Sequence, residues 1–388
     1  LESLHNASKA TRNSRAQALA AAAAGLAVAD AAKQVAKDPS HAGGVTLAAT
    51  IGSSKSESKA TEHATRVAPS VVAAGGNVDI RAQGRPDARL TVAGSQIAAA
   101  DTVTLKSEGE LLLEAQANTD TQSMSSSSSS VGIGVAARIG KDGTGIGITA
   151  SASKGKGKAA GNDRTWTNTE ITAGRRASLR SKGDSRLKGA IVKAPTIDAR
   201  VGGNLSIESL QDSSRYESRQ QSISGSVTIP LPGGGSPSAQ FNASKSDIHS
   251  NYLSTNEASG LQAGDGGFQV QVTGKTELKG AAIASTDAAV NAGSNQFSSA
   301  ELAMSDLKNQ ADYEAKAVGV GVGVGRNAQG EYAPKGNSAG LGSDSGHQSS
   351  VTTAGISGIA GNQDVRTGDA SSGLTRIFDA ERVAKEIN

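Results

Sequence analysis

An internal repeat of roughly 90 residues is the sequence feature that most limits how this chain can fold. The first landmark, an Ala-Gly pair that opens a strand-like run, recurs at spacings of 99 and 90 residues. The second, a stretch of alternating small and branched residues, recurs at spacings of 92 and 95 residues. These landmarks begin at Ala74, Ala173 and Ala263, and at Val131, Ile223 and Val318. Repeat proteins bury a continuous core by stacking their units, so we expect function to lie in length and surface rather than in one catalytic pocket.

Composition argues against a conventional enzyme core. The 388 residues include only one Trp, four Tyr and four Phe, whereas Gly alone occurs 48 times. So few large side chains cannot fill the cores of two or three ordinary globular domains. The patterned Val, Ile and Leu residues favour a regular β architecture, in which small residues pack in tight layers, over disorder.

Charge and cysteine content exclude several other classes of function. The net charge is only +3 and the charges are interspersed, which predicts that nucleic acid is not a partner. The absence of Cys excludes disulfides and thiolate metal sites, and it is compatible with export. The longest apolar run, at about residues 16–29, is nearly all Ala and short for a membrane helix. The first residue is Leu1, so we expect an excised piece whose targeting segments lie outside it.

Short alternating segments predict strands over most of the chain. Residues 1–44 are interpreted as an Ala-rich helical flank that ends near Pro39. Beyond it, segments such as VDI (78–80) and LTV (90–92) recur about once every ten residues, which suggests a sandwich, a barrel or a β-solenoid. GGNVDIRA (75–82) resembles GGNLSIES (202–209) at a different point of the repeat. Such nesting favours the β-solenoid, with coils of roughly 20 residues.

Each unit also contains a Gly-rich segment that is typical of a β-hairpin. VGIGVAARIG and TGIGITASAS flank a predicted Asp142-Gly143 turn, with equivalents around residues 233–235 and 327–330. In one interpretation the hairpins of successive units associate and insert into a membrane, because strands of ~9–11 residues can cross a bilayer. In the other, they pack flat on the coils or extend their sheets. The candidate interaction or membrane-contact residues are Val131, Ile133, Val135, Ile146, Ile148, Val318, Val320, Val322 and Val324.

We therefore expect an all-β chain, a right-handed parallel β-helix with Gly-rich hairpin extensions. Residues 374–387 place apolar side chains at helical spacing and predict a short C-terminal helix. The expected division is a helical flank (1–44), unit 1 (45–130), unit 2 (131–222), unit 3 (223–317), a partial unit 4 (318–372) and a C-terminal helix (373–388).

The Gly-Val hairpins, the LKGA turns at Leu187 and Leu278, the GGN turns and the closing segment TTAGISGIAGNQDVRTGD (352–369) carry a family resemblance. Over residues 45–372 the chain resembles the second filamentous-haemagglutinin repeat region of two-partner-secreted exoproteins. It resembles most of all the contact-dependent growth inhibition effectors of Gram-negative bacteria. The closing segment resembles the junction at which family members leave the repeats and approach their C-terminal toxin.

This resemblance implies a secreted, cell-surface protein that acts as the shaft of an adhesin or as a segment that delivers toxin. The implied partners are an outer-membrane transporter, a toxin domain in cis, and the outer membrane or a receptor of the target cell. No cofactor is implied. The sequence itself contains no recognisable secretion, receptor-binding or toxin domain.

The candidate catalytic and metal-binding motifs of the sequence lack the surrounding patterns that such sites need. Ser338, in GNSAG (336–340), matches a nucleophile elbow, but no helix pattern follows it. The five histidines are scattered and lack metal-ligand spacing. The tripeptide Lys182-Gly183-Asp184 is explained by a coil corner that requires Gly. A polysaccharide-binding or lyase module, which can also use a β-helix, remains an alternative, although we find no cluster of acids and bases for it.

Overall fold

A computed structural model of the chain describes residues 45–140, 143–232, 236–326, 330–334 and 336–387. The predicted Ala-rich helix, in residues 1–44, lies outside the described residues, as do the predicted turn residue Asp142 and the turn at 233–235. The described chain is nearly all β, as the sequence predicts.

Three parallel sheets form what we call the coil body. Sheet 1 contains β2 (Val71–Ala74), β5 (Gln96–Ala99), β10 (Thr169–Ala173), β13 (Ala190–Ala194), β18 (Gly260–Ala263), β21 (Ala282–Ala284) and β27 (Gly355–Ile356), with β28 (Ala360–Gly361) antiparallel at its end. Sheet 2 contains β3 (Val78–Ala82), β6 (Thr102–Ser107), β11 (Arg176–Ser181), β14 (Thr196–Val201), β19 (Phe268–Val272) and β22 (Gln296–Ser298). Sheet 3 contains β4 (Leu90–Ala93), β7 (Leu111–Glu114), β12 (Ser185–Lys188), β15 (Leu205–Glu208), β20 (Lys275–Lys279) and β23 (Glu301–Ser305).

The remaining long strands pair with one another in a separate antiparallel sheet of eight strands, the hairpin sheet. Its strands are β1 (Val45–Thr65), β8 (Gln116–Gly140), β9 (Gly143–Thr167), β16 (Asp212–Pro230), β17 (Ser238–Ser254), β24 (Leu307–Arg326), β25 (Tyr332–Pro334) and β26 (Ser338–Thr352). The sheet contains three hairpins: hairpin 1 (β8 and β9), hairpin 2 (β16 and β17) and hairpin 3 (β24 and β26). Successive hairpins pair side by side, through β9 with β16 and through β17 with β24. Among the described residues, the hairpin strands therefore build a sheet of their own and do not extend the sheets of the coil body.

The path of the chain explains the length of the repeat. Each coil contributes one strand to sheet 1, one to sheet 2 and one to sheet 3 in turn. After two coils the chain leaves the body, forms one hairpin and returns to sheet 1. One repeat is thus a pair of coils plus a hairpin. The Ala-Gly landmarks mark the end of the first strand of each pair, at Ala74, Ala173 and Ala263.

The second landmark lies inside a hairpin strand, so the unit boundaries expected from the sequence do not coincide with the ends of the strands. Val131, Ile223 and Val318 lie within β8, β16 and β24. Unit boundaries placed at these residues divide a continuous strand, because the alternating pattern begins only halfway along it. The polar stretches 116–130 and 211–222 are largely strand in the structure.

The core of the coil body consists of ladders of identical positions in successive coils. One ladder in sheet 1 and one in sheet 3 contain six or seven branched or straight apolar side chains in parallel register. They are Val72, Ile97, Ile171, Val192, Leu261, Ile283 and Ile356 in sheet 1, and Val92, Leu113, Leu187, Ile207, Leu278 and Met304 in sheet 3. Since neighbouring strands lie about 4.8 Å apart, each coil covers the apolar residue of the one before it.

A left-handed glycine closes the first coil of every pair. Gly94, Gly189 and Gly280 follow β4, β12 and β20, with φ of +53°, +64° and +51°. A Cβ at Gly189 would lie 2.5 Å from the Cβ of Ala115. A side chain at this turn would therefore be strained both by its backbone and by its neighbour.

Two short helices complete the described structure: α1 (Asp287–Asn291) and α2 (Ala380–Ile387). Helix α2 is shorter than the helix that the sequence predicts from residue 373. Asp379 ends the irregular segment, because its carboxylate accepts a hydrogen bond from the backbone N–H of Arg382 at 2.7 Å and so caps the helix. Before it, Leu374 is held by hydrogen bonds to Ser254 and Tyr252 instead of entering the helix.

Candidate interaction surface

The hairpin sheet has two chemically different faces. Directly paired residues of antiparallel strands place their side chains on the same face, so the register of the six pairings between the long strands assigns each of their residues to a face. We call the face of Val131, Ile148 and Val320 the open face. The opposite, covered face receives the C-terminal segment and contains mostly Gly, Ser and Thr along the outer parts of its strands.

An apolar band occupies the open face toward the hairpin turns. It contains all nine residues that the sequence proposes for interaction, together with six from the same face. The band consists of Ile51, Val131, Ile133, Val135, Ile146, Ile148, Ile223, Val227, Ile229, Phe241, Val318, Val320, Val322, Val324 and Leu341. Ile133 is 62% exposed and Leu341 is 88% exposed. The hairpins of successive repeats thus join their apolar side chains into one continuous exposed surface.

A basic band borders the apolar band on the side of the coil body. Lys154, Lys156 and Lys158 follow one another along β9 on the open face, and all three are exposed. The two bands are adjacent in register, since Lys154 pairs with Ile223 and Lys245 pairs with Val318. The basic band comprises Lys55, Lys59, Lys154, Lys156, Lys158, Arg219, Lys245 and Lys316, with Glu57 and Asp247 as the acidic residues among them.

The lysines of β9 differ from the other charges of this face in their partners. Arg219 and Lys245 share Asp247, at 3.4 Å and 2.7 Å. Lys316 is paired with Glu314. The three β9 lysines have Ser129, Ser127 and Ser125 opposite them on β8, and their partners on β16 are Ile223, Gln221 and Arg219, so none of them faces a carboxylate on either neighbouring strand.

Acidic residues and histidines come next along the open face, still closer to the coil body. Glu217, His249 and Glu314 are directly paired across β16, β17 and β24. A hydrogen bond from Arg215 lowers the pKa of Glu217, and one from Lys316 lowers the pKa of Glu314. These carboxylates stay ionised at neutral pH, and each is balanced by a neighbouring cation rather than left free for acid–base chemistry.

The C-terminal segment packs on the covered face. Val383 and Ile387 of α2 are buried against Ile248 and Ala315. The rings of Tyr216 and Tyr313 both contact the ring of Phe378, which precedes the helix, with centroids at 5.3 Å and 5.8 Å. This contact protects part of one face only, and the apolar band on the other face is left exposed.

The sequence found the alternation of the Gly-Val strands but missed part of the surface that they build. Its pattern identified the residues of β8, β9 and β24, where Gly and branched residues alternate strictly. It missed Val227, Ile229 and Phe241, because Ser, Thr, Asn and other residues replace Gly on the other face of those strands. It also missed the basic band, although the KGKGK pattern at 154–158 carries the same period of two.

The other sequence candidates are not brought together in a site. Ser338 is the first residue of β26, and a strand rather than a helix follows it. His63, His249 and His347 lie on separate strands of the open face, whereas His5 and His41 lie outside the described residues. Among the residues that the structure describes, no group of three or more His, Asp or Glu side chains could hold a metal ion. In the same part of the chain, no helix is long and apolar enough to cross a membrane.

Comparison with known proteins places this geometry in a family. The family model for the hemagglutinin repeat matches residues 51–223, from β1 into β16. A Toxin CdiA of Escherichia coli is 34% identical over 385 residues, which cover 92% of this chain and 12% of that protein. The chain is a haemagglutinin-repeat protein of the CdiA type. The coil pairs and hairpins described above are therefore the structure of haemagglutinin repeats.

Other relatives of this haemagglutinin-repeat chain match it to a similar extent but have different names. A Deoxyribonuclease CdiA of Yersinia pseudotuberculosis is 32% identical, with coverage of 88% of this chain and 33% of its own length. A tRNA nuclease CdiA of Escherichia coli strain NC101 is 33% identical, with coverage of 90% and 11%. The chain spans between about a tenth and a third of the length of these relatives. No solved structure matches the chain.

Proposed function

We propose that this chain is a repeat segment of a large secreted exoprotein of contact-dependent growth inhibition, and that its hairpin sheet contacts the target outer membrane while toxin is delivered. In this proposal the coil body is the shaft, an outer-membrane transporter exports the full protein, and a toxin follows in cis. The repeat segment is not itself an enzyme. The nuclease names of the relatives describe an activity that this proposal assigns to their C-terminal toxins.

We also infer that the coil body has the right-handed form of a parallel β-helix. The chain visits sheets 1, 2 and 3 in a fixed order and returns to a parallel neighbour in sheet 1 after each coil. Connections between parallel strands of one sheet are almost always right-handed, because strands twist to the right. Such a body provides a stiff support on which hairpins of successive repeats are held side by side.

The single observation that carries the membrane-contact role is the continuous apolar band of the open face. It extends over three hairpins and β1, and its side chains are exposed. Large exposed apolar patches on soluble proteins ordinarily mark contact surfaces. The extent of this band along the strands favours entry into one leaflet of the bilayer over crossing the whole bilayer. From Val318 to Val324 the strand rises by about 20 Å, which is less than the roughly 30 Å of a bilayer's hydrocarbon core.

Replacing the matching segment of the Escherichia coli Toxin CdiA with this chain tests the role directly. The triple variant Val131→Thr, Ile133→Thr, Val135→Thr keeps β-branched side chains and removes apolar contact. We expect display on inhibitor cells to be unchanged and killing of target cells to fall at least tenfold. Met124→Thr, Ser126→Thr and Ser128→Thr on the covered face of the same strand are the matched control. Equal killing by both variants would contradict the proposal.

A translocation element that spans the membrane is the second candidate, and the length of the hairpin strands favours it. Strands β8 and β9 each have 25 residues, more than the ~9–11 that cross a bilayer. Dye release from liposomes distinguishes the two roles. Spanning predicts leakage at the protein concentration that saturates vesicle binding, whereas contact in one leaflet predicts binding without leakage.

A further inference from the structure

Three lysines lie in a row beside the apolar band, and they indicate which class of lipid the membrane contact involves. This inference rests on the proposed function. We propose that Lys154, Lys156 and Lys158 bind the phosphate groups of anionic lipids, while the apolar band enters the adjoining acyl region. The hairpins then enter, turns first, a membrane that bears negatively charged head groups.

The order of the bands supports this assignment. Moving along the open face from the turns, side chains change from apolar to mainly basic, and then to a mixed zone of acidic residues, histidines and arginines. The basic band has eight cations and two carboxylates, whereas Glu217, Glu314 and Asp312 lie beyond it. A bilayer presents the same sequence of layers, with hydrocarbon first and phosphate next to it.

The geometry of the β9 row suits a surface of phosphates. Side chains two apart on a strand project from one face with a separation of about 6.6 Å, so the row presents ammonium groups at regular intervals. Within the described part of the chain, these three lysines form no ion pair, in contrast to Arg219, Lys245 and Lys316. Their charge is available to a ligand without first breaking an internal pair.

The adjoining serines make the row accessible and polar. Ser125, Ser127 and Ser129 lie directly opposite the lysines on β8, and their hydroxyl groups can donate hydrogen bonds to phosphate oxygens. On the reverse of the row, Gly155 and Gly157 lie close to Ser128 and Ser126, where an added Cβ would be 2.7 Å and 2.6 Å from the hydroxyl oxygens. The glycines thus let β8 and β9 approach closely while every second residue is a lysine.

Vesicle flotation of the whole chain tests the assignment. Two vesicle types are compared, one of phosphatidylcholine alone and one of equal parts phosphatidylcholine and phosphatidylglycerol. Each lysine near an anionic surface contributes roughly a fivefold factor to the partition coefficient. The variant Lys154→Gln, Lys156→Gln, Lys158→Gln should therefore lose about 100-fold of its binding to the anionic vesicles and little of its binding to neutral ones.

A matched control removes the same charge from the coil body. Lys106→Gln, Lys193→Gln and Lys275→Gln replace partly exposed lysines that are paired with glutamates. This control should bind anionic vesicles nearly as well as the unchanged chain. Circular dichroism and the thermal midpoint of each variant establish that both remain folded.

Four outcomes would overturn the inference, and they separate it from the proposed function. Equal binding to the two vesicle types, or an equal loss in both triple variants, would contradict the phosphate site but leave membrane contact standing. Absence of binding to any vesicle would contradict both. A dimer in sedimentation that dissociates when Ile133 is replaced by Thr, with no vesicle binding, would assign the apolar band to a second copy of the chain.

Discussion

The rings of Phe378 and Tyr216 lie 5.3 Å apart and join the C-terminal segment to the second hairpin. Tyr216 belongs to β16, whereas Phe378 lies just before α2, more than 160 residues later in the chain. Arg376 strengthens the same junction through an ion pair with Asp163 of β9 at 2.9 Å. The C-terminal helix is therefore held by hairpins 1 and 2 as well as by hairpin 3.

Phe378→Ala should release α2 from the covered face without unfolding the coil body. Loss of the two aromatic contacts and of apolar burial costs about 2–4 kcal/mol, chiefly in the local docking equilibrium. Hydrogen exchange checks this, with faster exchange expected at residues 380–387 and unchanged exchange in β10–β15. Equal acceleration in both regions would mean that the helix is part of one cooperative unit with the body.

Gly189→Ala should destabilise the coil body by about 2–4 kcal/mol, because the residue has a left-handed φ and an added Cβ meets Ala115. Gly75→Ala is the matched control, since nothing lies within 4 Å of a Cβ at Gly75. Urea unfolding gives the difference in free energy. Similar midpoints for the two variants would contradict the requirement for Gly at this turn.

Ile207→Ala should cost about 2–5 kcal/mol, because it opens a cavity in the middle of the sheet 3 ladder. Val72→Ala, at the exposed end of the sheet 1 ladder, should cost less than about 1 kcal/mol. Thermal or urea unfolding of both variants measures the contrast. A comparable loss at the two positions would show that stacking of neighbouring coils is not the main source of core stability.

Glu208 and Asp212 should change the free energy of unfolding in opposite directions as the pH falls through the acid range. Burial alone would raise the pKa of Glu208, but Lys279 and Lys188 outweigh it, so the pKa lies below its ordinary value. Burial raises the pKa of Asp212 despite hydrogen bonds from Trp166 and Asn256. Glu208 therefore stabilises the fold above its unfolded pKa and loses this as pH falls, whereas Asp212 favours the fold when protonated and loses this as pH rises.

Urea midpoints measured between about pH 3 and pH 6 check these signs. Glu208→Gln should make stability fall less steeply on acidification, and Asp212→Asn should make it fall more steeply. Changes of the same sign in both variants would contradict the assignment.

The coil body follows from the sequence to a large extent. The short strands predicted at 78–80 and 90–92 are confirmed as parts of β3 and β4. They could be predicted because alternation in a half-buried strand is a local signal, and because the repeat supplies it several times. The expected all-β class is confirmed for the same reason.

The hairpin sheet could be predicted only in part. Hairpin formation is local, but the pairing of β9 with β16 joins residues from different repeats, and its register depends on how the coils stack beneath them. Asn309 illustrates the limit. It is buried at the base of hairpin 3, where its amide donates to Thr352 and accepts from the N–H of Thr255, and no local pattern marks it. The short extent of α2 likewise depends on contacts of Leu374 with distant residues.

Disulfide formation between Ala150→Cys on β9 and Val227→Cys on β16 tests whether the hairpins form one continuous sheet with one apolar face, since the chain has no Cys of its own. The two residues are register partners from successive hairpins on the open face. We expect rapid crosslinking of this pair under mild oxidation, and little with Ser151→Cys in place of Ala150→Cys, because Ser151 belongs to the covered face. Equal crosslinking of both pairs, or of neither, would contradict a continuous hairpin sheet with one apolar face.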